Sequence, residues 1–349
     1  MLAAGYRRTM SGSILVSPSV ESMHAASIER LAPGVRRVVV DLQGAASEGE
    51  GAVGQGQGAA GQAEGAAGPA ESDTGDVEIA YFSGDLFPDD VRPFAGALRR
   101  SPQLRWLHTF SAGVDDRFFQ RMLEDGIRIT TSSGAQAAPI AHTVMMYLLA
   151  LSRDLPAWLT DQAERRWNPR DIIDLQGRRM LVLGLGPIGL EVASLGQAFG
   201  MDVIGLRRTP RGDEPCPTRP LSELTALLPT ADAVVLALPL VAETRGILGS
   251  AEIAIMRKDA VVANVGRGDL IDEPALIDAL HEGRLGGAGL DVFASEPLPK
   301  ESPLWSLPNV IVTPHSSGTS GGNQLRADAI FLENLESYLA GAPLRNEVV

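Results

Sequence analysis

Apolar residues in this chain come in short blocks, and most blocks have the length of a strand. Ser13–Ser17 (SILVS), Arg37–Leu42 (RVVVDL), Val77–Phe82 (VEIAYF), Leu104–Thr109 and Ile127–Thr130 are runs of four to six residues rich in branched or aromatic side chains. Runs without strict alternation predict strands covered on both faces, as in a parallel sheet between helices. Ser22–Leu31 reads as a helix that Pro33 and Gly34 end. A second series begins near Arg179, with strands expected at Met180–Leu183, Val203–Leu206, Ala233–Ala237, Ala260–Asn264, Gly287–Leu290 and Val310–Val312. Six strands alternating with helices predict one doubly wound sheet. Between the two series, Ala137–Leu151 is apolar nearly all round, which predicts a buried helix at a domain junction or a subunit interface. A helix over Gln324–Leu339 closes the chain. The pattern predicts an α/β fold with two parallel-sheet domains, Rossmann-like or flavodoxin-like.

One segment breaks this pattern. Gln43–Gly75 holds 33 residues, 10 of them Gly and 9 Ala, and Val53 is its single large apolar side chain. Such a stretch cannot bury enough surface to offset its ordering entropy, so it is expected to be a disordered surface insertion.

Composition narrows the function. The 349 residues carry 30 basic and 43 acidic side chains, a formal charge of −13. That balance argues against nucleic acid or an anionic membrane as partner. With 44% hydrophobic residues there is material for two cores. Cys216 is the one cysteine, which excludes a disulfide framework, and no His or Cys pair has metal-ligand spacing, so no metal is expected. The apolar run at 137–151 is too short to cross a bilayer, and the N-terminal MLAAGYRRTMSG lacks an apolar run of signal-peptide length. The expectation is a soluble cytoplasmic protein.

The first chemical signal is MLVLGLGPIG at Met180–Gly189, where Gly184, Gly186 and Gly189 form G-x-G-x-x-G after an apolar strand and at the start of a helix near Pro187 and Ile188. In that context Gly184 permits the tight turn, Gly186 lets backbone approach a pyrophosphate, and Gly189 lets helix and strand pack closely. The phosphates of a dinucleotide then sit at the helix N-terminus. The next strand runs into Arg207, Arg208 and Arg211, with no acid between Val203 and Gly212. An NAD enzyme usually places a carboxylate there for the ribose hydroxyls, whereas arginines suit a 2′-phosphate. The cofactor expectation is NADP(H) preferred, with NAD(H) as the second option.

Three further motifs follow: Asn264-Val265-Gly266-Arg267-Gly268, Gly289 to Pro297 (GLDVFASEP) and Thr313-Pro314-His315. Arg267, Glu296 and His315 each lie just past the carboxyl end of an expected strand, the edge where open α/β sheets bind ligands. Reduction of a 2-oxo acid needs a cation for the carboxylate and carbonyl oxygen and a proton donor at that oxygen. An arginine and a histidine backed by a carboxylate provide both.

With these motifs in order behind the fingerprint, the chain resembles the D-isomer-specific 2-hydroxyacid dehydrogenase family over nearly its whole length outside 43–75. The resemblance implies that Arg267 binds substrate and that Glu296 supports His315, the acid/base. It implies that Asp291 holds the nicotinamide carboxamide and that Leu238, Pro239 and Thr244, with Val265 and Gly266, line the cofactor. It also implies that the Ser111-Ala112-Gly113-Val114-Asp115 loop offers backbone amides to the substrate carboxylate, chiefly through Ser111, Ala112 and Gly113. In topology it implies a Rossmann domain, 139–316, inserted into a substrate domain made of 1–138 and 317–349, with the active site in the cleft between them. It further implies a homodimer that uses the cofactor domain and the 137–151 helix. The arginines after the second strand resemble the NADPH-preferring glyoxylate/hydroxypyruvate reductase branch, with a small 2-oxo acid or D-2-hydroxy acid as substrate. The 34 residues after His315 disfavour the long phosphoglycerate dehydrogenases. Two alternatives stay open: a catalytically silent, dinucleotide-sensing scaffold resembling the C-terminal-binding-protein corepressors, and a phosphite-type dehydrogenase. Formate dehydrogenases carry Gln where Glu296 stands, which disfavours that branch.

Of the other histidines, His24 and His281 read as surface residues, His142 as a buried packing residue, and His108 as a neighbour of the Ser111 loop. Trp158 and Trp167 read as interface residues.

Overall fold

The structure is a computed structural model, and it describes residues 10–40, 73–87, 89–114 and 116–348. Most of the expected insertion, 43–72, and Asp115 of the Ser111 loop lie outside the described residues. The chain forms two compact units, Met1–Ala135 with Gly321–Val349 and Gln136–Ser320.

The first unit is built on five parallel strands in the order β2-β1-β3-β4-β5. These are β1 (Ser13–Val16), β2 (Arg37–Val39), β3 (Val77–Phe82), β4 (Trp106–Thr109) and β5 (Arg128–Thr131). Continuous burial of β1, β3 and β4 explains why their sequences do not alternate. One face packs Leu15, Ala80 and Leu107 against α2 (Val91–Arg99) and α3 (Arg117–Glu124). The other packs Ile14, Ile79, Tyr81 and Trp106 against α1 (Pro18–Leu31) and α10 (Asn323–Leu339), so the C-terminal helix completes this unit. Ser17 caps α1 by accepting from the Val20 N–H, which starts the helix four residues before the expected Ser22. The expected insertion runs three residues too far. Thr74 is 3% exposed and donates to the Arg100 carbonyl, so Asp73–Gly75 belong to the fold.

The second unit has seven parallel strands in the order β12-β11-β10-β9-β6-β7-β8. They are β6 (Arg179–Leu183), β7 (Asp202–Arg207), β8 (Thr218–Pro220), β9 (Ala233–Leu236), β10 (Val261–Asn264), β11 (Gly287–Leu290) and β12 (Val310–Val312). Six strands were expected, and the seventh, β8, is a three-residue edge strand ending in proline. It has no apolar run because it is half-covered, and an edge is where proline is tolerated. The register places Leu183, Leu206, Leu236, Asn264, Leu290 and Val312 level with one another. Every loop that follows these strands therefore leaves from one edge. The long apolar helix is α4 (Ala137–Ser152), which packs on α6 (Pro187–Ala198) and on β10 and β11. It is not buried all round. His142 and Met146 are exposed, which corrects the expectation for His142.

Candidate functional site at the carboxyl edge of the seven-stranded sheet

The strand order reverses direction between β6 and β9, since the chain winds outward through β7 and β8 and then crosses to β9. Gly184 lies at this switch point with φ of +96°, and a Cβ on it would stand 2.6 Å from the Ala237 carbonyl oxygen. Only glycine meets both conditions. Gly189 is equally constrained, because a Cβ there would collide with the Gly184 carbonyl. At Gly186 a Cβ would meet nothing within 4 Å; this residue is the exposed, extended N-cap of α6, with Pro187 as the first helical residue and Ile188 half-buried behind it. An open glycine before first-turn amides is the cradle a pyrophosphate needs, so the residues present fit a dinucleotide.

Across the switch point, Leu238 is buried and Pro239 exposed. The Thr244 hydroxyl donates to the Pro239 carbonyl at 2.7 Å and accepts from the Val241 N–H at 2.9 Å, which shapes this turn. Its backbone rather than its hydroxyl is what the turn presents.

Arg267, Glu296 and His315 come together along the β10–β11–β12 part of this edge. After β10, Asn264 closes the NVGRG turn by accepting from the Gly266 N–H and donating to the Arg267 carbonyl. Val265 and Gly266 are buried and the Arg267 side chain is exposed, its Nη1 donating to the Gly266 carbonyl at 2.7 Å. A Cβ on Gly268 would overlap the Phe293 carbonyl, so glycine there lets the turn lie against the loop after β11. In that loop the Phe293 N–H donates to Glu296 Oε1, and Glu296 Oε2 lies 2.7 Å from His315 Nδ1. With a carboxylate as acceptor, Nδ1 carries the hydrogen and Nε2 is left for substrate chemistry. Partial burial pushes the Glu296 carboxyl up, but the His315 hydrogen bond, the Phe293 N–H and the charges of His315 and Arg267 outweigh it and hold it below the ordinary glutamate range. His315 itself has φ of +50°, a left-handed conformation that a non-glycine residue adopts only when its surroundings impose it.

Asp291 is what imposes it. Its backbone carbonyl accepts from the His315 N–H at 2.8 Å. Its carboxylate accepts from Thr313 Oγ1 at 2.5 Å and from the Ser316 and Ser317 N–H groups, and the Ser317 hydroxyl bonds it as well. Asp291 is 1% exposed. Both of its oxygens bond inside the loop that carries His315, so this carboxylate organises that loop whatever else it contacts. Tyr147 of α4 bonds Thr313 from below, in the space that Gly289 leaves by lacking a side chain. Burial pushes the Tyr147 hydroxyl up to about 12, so it stays neutral. Sequence reasoning did not single out Tyr147 or Ser317 and took Thr313 only as part of the Thr313-Pro314-His315 motif, since their roles depend on contacts across 22 residues or more.

At the end of β7 the expected arginine cluster is only partly available. Arg207 Nη1 pairs with Glu214 Oε1 at 3.0 Å, while Arg208 and Arg211 are exposed. Of Arg207 and Arg208, the pair expected to hold the 2′-phosphate with Arg211 close behind, Arg207 is thus already engaged by Glu214. Glu214 falls two residues past the stretch without acids and left no mark in the motif.

In the first unit, Ser111–Gly113 follow β4 at the carboxyl edge of the five-stranded sheet. Ala112 and Gly113 are exposed, and the Ser111 hydroxyl donates to the Gly113 carbonyl at 2.8 Å, folding the loop on itself. His108 does not reach this edge. It is fully buried, bonded to Thr130 and Ser132, and burial drives its pKa down to about 3. His24, expected at the surface, pairs with buried Asp328 at 2.9 Å. His281 is exposed. Among the described residues, no helix is long and apolar enough to cross a membrane, and no cluster of three metal-ligating side chains occurs.

Comparison with known proteins agrees with this geometry. The family described as "D-isomer specific 2-hydroxyacid dehydrogenase, NAD binding domain" matches residues 145–317. Glyoxylate reductase of Aeropyrum pernix is 31% identical over 256 residues, 70% of this chain and 76% of that protein. D-3-phosphoglycerate dehydrogenase of Methanocaldococcus jannaschii is 34% identical over 255 residues, 72% of this chain but 48% of that protein, so the match spans about half of its length. Among solved structures, a D-isomer specific 2-hydroxyacid dehydrogenase from Xanthobacter autotrophicus in complex with NADPH and MES superposes with a TM-score of 0.68. It is 29% identical, with 97% of this chain and 98% of that one covered.

Proposed function

The chain belongs to the D-isomer-specific 2-hydroxyacid dehydrogenase family, and from that premise we propose that it is an NADPH-preferring reductase of a small 2-oxo acid such as glyoxylate or hydroxypyruvate. The observation that carries the proposal is the level carboxyl edge of the seven-stranded sheet, with the Gly184–Gly189 cradle, Arg267 and the Glu296–His315 pair all leaving from it.

In this reading residues 139–316 form the cofactor domain, and 1–138 with 317–349 form the substrate domain. The bound nicotinamide supplies the hydride. Gly186, Pro187, Ile188 and Gly189 hold the pyrophosphate at the start of α6, and the turns at Leu238–Thr244 and Val265–Gly266 line the cofactor with backbone. Arg267 binds the substrate carboxylate and draws charge from the carbonyl oxygen. His315 gives a proton to that oxygen from Nε2, while Glu296 orients the ring and offsets the imidazolium charge. Ser111, Ala112 and Gly113 take the role of backbone donors to the carboxylate. Arg208, with Arg211 close behind, receives the 2′-phosphate at the end of β7, and Arg207 contributes the donors that Glu214 leaves it.

The NADPH-bound relative supports a dinucleotide with a 2′-phosphate. One or two exposed charge-assisted contacts correspond to a preference of about ten- to a few-hundred-fold in kcat/KM. The test is kcat/KM for NADPH and NADH with glyoxylate and hydroxypyruvate, at low and high salt. The expected result is turnover with both acids and an NADPH preference that weakens as salt rises. Equal use of both cofactors would overturn the preference, and no turnover with any 2-oxo acid would favour the silent scaffold.

A further inference from the structure

The loop between β7 and β8 is built around one carboxylate. Glu214 is 4% exposed at its side chain, although it lies in a surface loop between exposed Asp213 and Pro215. Its Oε1 accepts from the Arg211 N–H at 2.7 Å and from Arg207 Nη1 at 3.0 Å, and its Oε2 accepts from the Gly212 N–H at 2.8 Å. Gly212, with φ of +87° and open space where a Cβ would be, makes the turn that aims both amides at the same group. Two converging backbone amides and a guanidinium form an anion nest, and the anion in it comes from the chain itself. The Arg211 N–H, then the Gly212 N–H and Arg207, hold the Glu214 carboxyl down to about 2 against partial burial, so it is charged throughout the working range.

Arg207 is the last residue of β7. That is where a doubly wound dinucleotide fold places the side chain that faces the adenosine ribose. A 2′-phosphate arriving there meets a guanidinium already engaged by a carboxylate, and it meets that carboxylate's negative charge.

We propose that Glu214 is a specificity-determining positioning residue, an internal counter-anion that competes with the 2′-phosphate for Arg207 and so limits the discrimination between NADPH and NADH. This rests on the reading that the ribose lies at the end of β7. Glu214 also ties the loop down, so its charge and its hydrogen bonds act in opposite directions: the bonds order Arg211 beside the site while the charge opposes the phosphate.

The test separates these two effects. Glu214→Gln keeps the volume and an acceptor for the amides but removes the charge. The ratio of kcat/KM for NADPH to that for NADH is expected to rise about three- to tenfold over the unmodified enzyme, through a lower KM for NADPH, as suits one partly exposed charge. In an Arg207→Met background the same substitution is expected to give a clearly smaller rise, because only the direct repulsion by the Glu214 charge is then relieved and the competition has lost its object. A ratio that stays level or falls in Glu214→Gln overturns the proposal, and so does an equal rise without Arg207. Glu214→Ser, which keeps one uncharged acceptor, is read the same way should the glutamine variant not fold. The unmodified enzyme's own ratio tests the NADPH reading, whereas the change between variants tests Glu214, so the two fail separately.

Discussion

His315 stands where three separate constraints meet: a backbone held in the left-handed region, a ring nitrogen held by Glu296, and a loop held by buried Asp291. Each restricts the imidazole to one placement, which is what proton transfer requires. His315→Ala is expected to lower turnover by about 10²–10⁴-fold. Cofactor binding, followed by fluorescence titration with NADPH, should persist; near-normal turnover would remove His315 from the mechanism. A second histidine makes a prediction about stability. His108 is driven from 6.5 to about 3 by burial, with a backbone bond from Ala327 acting weakly the other way. The folded state therefore keeps it neutral while the unfolded chain takes up a proton below about pH 6.5. The stability associated with neutral His108 is present above that pH and is lost as pH falls toward 3. By pH 4 the loss is about 3 kcal/mol. Urea unfolding at pH 7 and pH 4 checks this: the wild type should weaken more than His108→Gln, and parallel losses would show that other groups dominate.

At the scale of elements, the two sheets rest on strands whose apolar content is legible because both faces are covered. The carboxyl edge becomes a site because parallel strands of equal register release their loops at one level. Glycines at 184, 189, 268 and 289 are what let those loops, strands and helices approach, since a Cβ at each would strike backbone or the Tyr147 ring. The glycine- and alanine-rich stretch contributes no comparable packing side chain by composition. Its usable limit is 43–72, because Thr74 is anchored on Arg100. Replacing 43–72 by a short Gly-Ser link is expected to shift the melting temperature by no more than a degree or two, since closure entropy depends weakly on loop length. A loss of several kcal/mol would show that the segment packs.

For the whole molecule, the second unit exposes a set of large apolar side chains on neighbouring helices. Met146 of α4, Leu155, Trp158 and Leu159 of α5 (Leu155–Ala163) and Phe199 after α6 are all exposed, and Trp167 is 96% exposed. Met146, Leu155, Trp158 and Phe199 line one shared groove, and contiguous apolar surface of this kind marks an association site. We propose that a second copy of the chain covers it, forming the homodimer that the family resemblance implies. Light scattering on the eluted protein should give twice the 36.9 kDa chain mass, and Met146→Glu with Trp158→Glu should give the monomer. A monomeric wild type would leave this face to another partner.

The positions of nearly all strands, the dinucleotide cradle and the order of Arg267, Glu296 and His315 were legible in the sequence. The reason is locality. A strand covered on both faces is a short apolar run, and a tight turn against a phosphate demands glycine within six residues of its neighbours. What the tertiary structure alone decided are the matters of environment. Asp291, expected beside the cofactor, is also a buried organiser of the His315 loop, because Thr313, Ser316 and Ser317 come back to it after β12. Arg207 looked open, and Glu214 returns to claim it through a turn at Gly212. His108 looked close to a catalytic loop and lies buried within β4, against Phe331 of α10, while His142 looked buried and faces out. In each case the residue type is local but its partner is not. Burial, charge pairing and pKa are set by the partner, which chain order does not reveal.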